Sequence, residues 1–267
     1  MADKEKDKDM PFLGHLEELR WRLVKCSIAI IVVALVVFFY IEWITDNIFL
    51  SLAEPDFPFY RFCCWAFDQC AGKIKVDYQS TEVTGQFMTS LVVSILGGVI
   101  VAFPFIFYQL WSFVKPGLKQ NELKQVKGII GFVSLMFFIG ISFGYFVIAP
   151  LTVQFFGTWT MSEKVDNNFR IANYISVVSS TVFFTGLLFL LPVVILIFSK
   201  LGILSSAWLK RYRRHAFVAI LILAAIITPP DLLSQIVVSV PIILLYEFGI
   251  LLAKHQEKKK LKLASNS

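Results

Sequence analysis

The sequence predicts an all-α fold: a polytopic membrane protein with six transmembrane helices. Hydrophobic residues make up 57% of the chain, including 27 phenylalanines, whereas soluble domains are nearer to about 45–50% apolar. The mean hydropathy of +0.71 agrees with this class. Lysine and arginine lie in short blocks between long apolar runs, a pattern typical of membrane orientation and not of nucleic-acid binding.

Four apolar stretches are long enough to span a bilayer. A helix rises about 1.5 Å per residue and needs about 20 apolar residues to cross about 30 Å of hydrocarbon. The stretches that meet this length are 23–43, 83–108, 128–148 and 174–199.

Two further apolar stretches, 216–228 and 232–253, are separated only by Pro229, Pro230 and Asp231. Because proline ends a helix, we expect a tight hairpin of two short spans. The first arm would rise only about 18 Å. Two explanations stay open: either the helix begins earlier, near Trp208, or the bilayer thins around it.

Charge predicts the orientation of the spans. Of the 25 basic residues, 20 lie in the N-terminal segment, the turns 115–127 and 200–214, and the C-terminal tail. The positive-inside rule therefore predicts that both termini are cytoplasmic. We expect one integral domain, residues 1–267, with a cytoplasmic segment (1–22), a six-helix bundle (23–253) and a basic cytoplasmic tail (254–267).

The first outer loop contains three of the four cysteines. Outside the cytoplasm disulfides persist, so a bridge from Cys63 or Cys64 to Cys70 is expected as one option. Metal binding is disfavoured because none of the histidines lies in this loop.

Signatures of enzymes are missing from the sequence. It has no phosphate-binding loop, no H-E-x-x-H and no G-x-S-x-G. The three histidines fall at the predicted inner surface, away from the membrane midplane. We therefore expect a protein that is not an enzyme and that has no cofactor.

Two carboxylates on the basic inner side are candidate binding groups. Glu18 lies four residues before Arg22 in an amphipathic segment, 11–22. This spacing fits either an exposed pair worth less than about 1 kcal/mol or a receptor carboxylate. Glu122 either pairs with Lys119 or Lys124 in its turn or accepts a cationic partner. Glu247 and Gln235 lie in the apolar hairpin, where polar groups normally face a bundle interior, a cavity or a partner.

The chain resembles the TatC family, the multispanning receptor subunit of the twin-arginine protein translocase. Three motifs carry the resemblance: HLEELRWR at 15–22, FPFIFYQLWSFVKPGLKQNE at 103–122, and the hairpin TPPDLLSQIVVSVPIILLYEFGILLAK at 228–254. The resemblance implies export of folded precursor proteins, driven by the proton-motive force, across the bacterial cytoplasmic (inner) membrane.

The resemblance also implies residue roles. Glu18 and Glu122 match carboxylates that receive the arginine pair of the signal peptide, and Arg20, Phe113 and Pro116 match positions shaping the same surface. Thr228 and Gln235 match the region that contacts single-span TatA/TatB-type subunits. The implied partners are twin-arginine signal peptides, those subunits, other copies of the chain and membrane lipid, with no nucleic acid.

One position departs from the family pattern: Leu190 stands where members commonly carry a glutamate in the fourth span. A polar contact at that place is therefore in question. The alternative function from another class is a secondary transporter for a small solute, which would require a polar site near the membrane midplane. An intramembrane enzyme is a third class, for which the sequence offers no nucleophile and base pair.

Overall fold

The computed structural model describes residues 12–67, 77–115, 128–159, 168–200, 202, 204–227 and 232–265. Most of them are helical, as predicted, but two long loops also contribute a two-stranded sheet that the sequence did not predict. The helices are α1 (Phe12–Phe39), α2 (Ile41–Ile44), α3 (Pro58–Phe67), α4 (Gly85–Val114), α5 (Ile129–Phe143), α6 (Ala149–Thr158), α7 (Ile171–Leu188), α8 (Leu191–Lys200), α9 (Ser206–Arg211), α10 (Arg213–Ile227) and α11 (Leu232–Ser265). The strands are β1 (Asp77–Gln79) and β2 (Asn168–Arg170).

Helices α1 and α4 pack antiparallel along most of their length. Helix α1 begins at Phe12, because the predicted amphipathic segment 11–22 continues directly into the apolar span. A Cβ atom on Gly98 would lie 2.8 Å from the carbonyl oxygen of Ile30. Glycine is therefore required where α4 approaches the backbone of α1, the usual role of small residues between membrane helices.

The third and fourth long helical stretches both change geometry partway along their length. A π-helical turn, Gly144–Ile148, joins α5 to α6, so that the helical stretch Ile129–Thr158 is continuous. Phe189 and Leu190 form a turn between α7 and α8. Pro192 follows this turn, and its missing N–H suits the first turn of α8.

One end of the bundle is covered by the loops. We call it the capped end; it holds α2, α3, β1 and β2. Strands β1 and β2 are parallel, with Tyr78 opposite Phe169. The hydroxyl of Tyr60 lies 3.0 Å from the carbonyl oxygens of Leu52 and of Pro150 and shares its proton between them. Burial raises the pKa of this phenol, so it remains a donor at neutral pH.

The other end carries the start of α1, the end of α4 and the corner formed by α9 and the start of α10. We call it the basic end, because exposed cations collect there: Lys25, Lys115, Lys210, Arg211 and Arg214.

The C-terminal hairpin consists of α10 and α11. Helix α10 has 15 residues and begins at Arg213, five residues after Trp208. It would rise about 22 Å. Buried side chains of α9, α10 and α11, among them Leu209, Ala224, Ile242 and Ile250, form one apolar cluster with Ile148 and Leu188.

Five helical stretches in the described part of the chain are long and apolar enough to cross a membrane. Their outward surfaces keep large apolar side chains exposed, for example Leu135 and Leu244. An apolar surface of this kind fits hydrocarbon rather than water. The stretches are Gly14–Phe39, Gly85–Val114, Ile129–Thr158, Ile171–Lys200 and Val238–Lys258, and α10 is not among them.

Candidate functional site

A polar cluster lies at the basic end, between the start of α1 and the end of α4. The carboxylate of Glu18 accepts hydrogen bonds at Oε1 from Nε of Arg22 at 2.9 Å and from Nη2 at 2.5 Å. Nη1 of the same guanidinium donates to Oε1 of Gln109 at 3.2 Å. The side chains of Glu18 and Arg22 are 25% and 22% exposed, so this pair is largely buried and not the exposed pair considered from the sequence.

The second oxygen of Glu18 has a different environment. Oε2 is buried and forms no hydrogen bond. Nδ1 of His15 lies 3.9 Å from this oxygen, which is beyond hydrogen-bond distance. A buried carboxylate oxygen without a donor is costly, so a cationic donor that reached this atom would stabilise it.

His15 and Phe113 form the wall beside this oxygen. Their rings are stacked with centroids 4.1 Å apart and an interplanar angle of 13°. Phe113 lies in the last turn of α4, one turn beyond Gln109, and Glu18 lies one turn beyond His15 in α1. The antiparallel packing of α1 on α4 therefore brings the predicted residues Glu18 and Phe113 to the same site.

Arg20 lies on a different face of α1 from Glu18. It lies two residues after Glu18, about 200° around the helix axis, and is exposed. With Leu16, Leu19 and Leu23 it lines a shallow groove of about 430 Å³. The structure therefore does not bring Arg20 to the carboxylate of Glu18.

Several predicted residues lie outside the described part of the chain. These are Pro116 and Glu122 of the basic turn, Thr228 of the hairpin and Cys70 of the outer loop. The sequence-based hypotheses about them remain predictions.

The remaining predicted residues lie within the part of the chain that the structure describes. Nε2 of Gln235 donates to the carbonyl oxygen of Leu221 at 3.2 Å and so links α11 to α10. Glu247 pairs with Arg213 at 2.5 Å, which joins the same two helices at the basic end. In the outer loop Cys63 is a free thiol, and burial raises its pKa. Cys64 is in a disulfide bond.

Sequence reasoning did not assign Gln109 or the stacking of His15 to this site. A signal was present for Gln109: it is the one amide in the aromatic stretch FPFIFYQLWSF, 103–113. It is 7% exposed, and a buried amide needs a partner. In the part of the chain that the structure describes, no three His, Cys, Asp or Glu residues come together as metal ligands would.

Known proteins are similar to this chain both in sequence and in fold. The family described as Sec-independent protein translocase protein (TatC) matches residues 14–241. The TatC protein of Blattabacterium sp. subsp. Periplaneta americana (strain BPLAN) is 36% identical over 270 residues, which cover 96% of this chain and 100% of that protein. TatC of Halalkalibacterium halodurans is 34% identical, over 96% of this chain and 94% of the relative.

A solved structure agrees with these relatives. The crystal structure of the twin arginine translocase receptor TatC in DDM superimposes with a TM-score of 0.71 at 28% identity, covering 90% of this chain and 99% of that one. The resemblance inferred from the three motifs is thereby confirmed. The chain belongs to the TatC family and is a multi-pass membrane component of the Sec-independent protein translocase.

Proposed function

We propose that this chain is the receptor subunit of its translocase and binds twin-arginine signal peptides at the cytoplasmic membrane surface. The observation that carries the proposal is the buried Oε2 atom of Glu18, which has no hydrogen-bond donor. One arginine of the peptide binds there, and Glu122 receives the other. Phe113 forms the wall of the first subsite, Pro116 shapes the adjoining surface, and Arg20 extends the peptide-binding surface onto another face of α1.

The chemistry of the proposed subsite at Glu18 favours arginine over lysine. A guanidinium is planar, carries five donors and is weakly hydrated, so it enters a partly dehydrated site at lower cost than an ammonium group does. It can donate to Oε2 of Glu18 while stacking on an aromatic ring such as that of Phe113. A charge-assisted hydrogen bond of this kind contributes about 1.5–3 kcal/mol.

Arg22 and Gln109 act as positioning residues. The two contacts of Arg22 hold Oε1 of Glu18 in place, and the contact to Gln109 fixes the guanidinium against α4. The rotation of the carboxylate is therefore restricted, and Oε2 stays directed away from Arg22. A prepositioned acceptor loses less conformational entropy when the ligand binds.

The proposed topology has six spans in a single domain, with both termini in the cytoplasm of a bacterium. Five spans correspond to the long helices, and α10 is the sixth. The excess of lysine and arginine at the basic end supports the cytoplasmic assignment of that end. The short α10 then requires local thinning of the bilayer.

The α10–α11 hairpin is the proposed contact for single-span TatA/TatB-type subunits, with Thr228 and Gln235 as the proposed contact residues. Its outward face is apolar and uncovered: Val218, Ile222, Leu244 and Leu251 are 57%, 56%, 64% and 63% exposed. Partner helices and other copies of the chain can pack there, and protein export would draw on the proton-motive force.

The transporter alternative receives no support from the cavity between α1, α4, α5 and α7. This cavity, of about 400 Å³, is lined mainly by apolar side chains, with hydroxyls from Ser142, Tyr145 and Ser179. Among the residues that the structure describes, none that lines it is charged. A hydrophilic solute would find few partners there.

Crosslinking tests the proposal directly. A photoreactive amino acid replaces Phe113 in membranes that contain the full chain and its partner subunits. We expect a crosslink to a precursor that carries two arginines and none to the same precursor with two lysines. Equal crosslinking of both precursors, or of neither, would contradict the receptor assignment.

A further inference from the structure

A second cationic surface lies at the basic end, on α9 and the start of α10. Lys210, Arg211 and Arg214 are exposed. In the part of the chain that the structure describes, the salt bridges include none of the three. Arg213, between them, is different because it pairs with Glu247. We call Lys210, Arg211 and Arg214 the corner cations.

An aromatic pair lies beside the corner cations. Trp208 and Tyr212 are four residues apart, 49% and 40% exposed, with ring centroids 4.6 Å apart. Tryptophan and tyrosine are the residues that concentrate at the level of lipid headgroups, because one part of each ring system is apolar and another is a hydrogen-bond donor.

The corner is held rigidly against α11 by polar contacts. The carboxylate of Glu257 accepts from the backbone N–H of Ser206 at 2.7 Å and from its hydroxyl at 2.5 Å. The hydroxyl of Tyr246 donates to the carbonyl oxygen of Leu209 at 2.9 Å. The two carboxylates of α11 near this corner contact other groups: Glu247 pairs with Arg213, and Glu257 accepts from Ser206. In the described part of the chain neither forms a salt bridge with a corner cation.

We propose that the corner cations and the Trp208–Tyr212 pair form a binding site for the phosphate headgroup of an anionic phospholipid. The surface continues into a lipid-facing helix, because Val218 and Ile222 of α10 are exposed one and two turns further along. A phospholipid can contact both surfaces: its phosphate binds the corner cations, and its acyl chains pack along the apolar face of α10. The assignment to the inner leaflet, but not the site itself, rests on the proposed orientation.

The site has a consequence for the hairpin. A headgroup held at the corner would anchor the start of α10, the helix that is too short for a bilayer of ordinary thickness. A specific lipid would therefore fix the depth of the hairpin in the membrane.

Native mass spectrometry of the full chain in detergent, titrated with phosphatidylglycerol, tests the site. The double variant Lys210→Gln/Arg211→Gln is expected to bind this lipid roughly 30-fold more weakly, since each cation at a membrane surface strengthens binding about fivefold. The charge-matched control Lys25→Gln/Lys115→Gln removes two exposed cations elsewhere at the basic end and is expected to bind as the unchanged chain does.

Further variants and soluble competitors, measured in the same titration, distinguish lipid binding from a general effect of charge. The charge-preserving double variant Lys210→Arg/Arg211→Lys is expected to retain binding, and Trp208→Ala to weaken it several-fold. Glycerol phosphate and inorganic phosphate are expected not to displace the lipid. Equal losses in the Lys210/Arg211 and Lys25/Lys115 variants would overturn the proposal, as would unchanged binding in the former or displacement by a soluble phosphate. Signal-peptide binding, which uses Glu18, is measured separately and does not enter this test.

Discussion

Arg22 contacts Glu18 through only one of the two carboxylate oxygens. Nε and Nη2 of the guanidinium both donate to Oε1, at 2.9 and 2.5 Å, and Oε2 is left buried without a donor. An arginine inside the chain thus already occupies half of the group proposed to receive an arginine from the signal peptide. The intramolecular pair and the ligand share one carboxylate.

This sharing predicts the effect of removing Arg22. In Arg22→Gln the carboxylate is no longer partly neutralised, and both oxygens become available for a bidentate contact. Because we expect the competition of Arg22 for the carboxylate to outweigh the loss of its positioning contacts, a twin-arginine peptide should bind about two- to fivefold more tightly, the equivalent of a partly exposed ion pair. Fluorescence anisotropy of a labelled peptide on the purified chain measures this. Weaker binding would show that the support Arg22 gives to Glu18 outweighs its competition with the ligand.

Close packing between α1 and α4 predicts a cost for Gly98→Ala. The added Cβ would lie 2.8 Å from the carbonyl oxygen of Ile30, so the helices must separate at a cost of about 1–3 kcal/mol. Gly131→Ala is the matched control, because nothing lies within 4 Å of its Cβ position. Thermal unfolding in detergent should show a lower midpoint only for Gly98→Ala, and equal midpoints would contradict the close approach.

At the capped end, Tyr60→Phe should destabilise the fold. The substitution removes the donor shared by the carbonyl oxygens of Leu52 and Pro150, in a residue that is 2% exposed. Leaving buried acceptors unpaired costs about 1–3 kcal/mol. Tyr40→Phe serves as the control, since Tyr40 is 63% exposed. If both variants unfold at the temperature of the unchanged chain, the hydroxyl of Tyr60 does not link the loop to the bundle.

Leu190 provides a test of the departure from the family pattern. It packs against an apolar cluster that includes Phe103, Val133 and Val193. Leu190→Glu should therefore lower stability by about 2.5–3.5 kcal/mol, the usual cost of a charge within a membrane helix. Leu190→Met keeps the volume and should cost less than about 1.5 kcal/mol. A Leu190→Glu variant as stable as the unchanged chain would instead indicate a polar environment at the turn between α7 and α8.

Sequence alone predicted the long helices well, because their length and apolar composition follow from the thickness of the bilayer. Their ends were less accurate. The third helical stretch, for example, continues to Thr158, beyond the predicted end of its span at 148. The parallel pair β1–β2 has three residues in each strand, too few for an alternating pattern to be recognised.

The candidate site was predictable only in part. The spacing of Glu18 and Arg22 predicts their contact, because residues four apart share a helix face. The contact from Arg22 to Gln109 joins residues 87 apart in sequence. It depends on the register of α1 against α4, which no local pattern reveals. The stacking of His15 on Phe113 depends on the same register.

Peptide binding to two neighbouring glutamate variants tests the central claim most directly. Glu18→Gln removes the charge at the buried oxygen, and Glu17→Gln removes the same charge from the adjacent, exposed residue. Affinity for a twin-arginine peptide should fall about 10- to 100-fold in Glu18→Gln, matching the loss of one charge-assisted hydrogen bond, and should be unchanged in Glu17→Gln. Equal affinities of the two variants would contradict the assignment of Glu18 as the arginine acceptor.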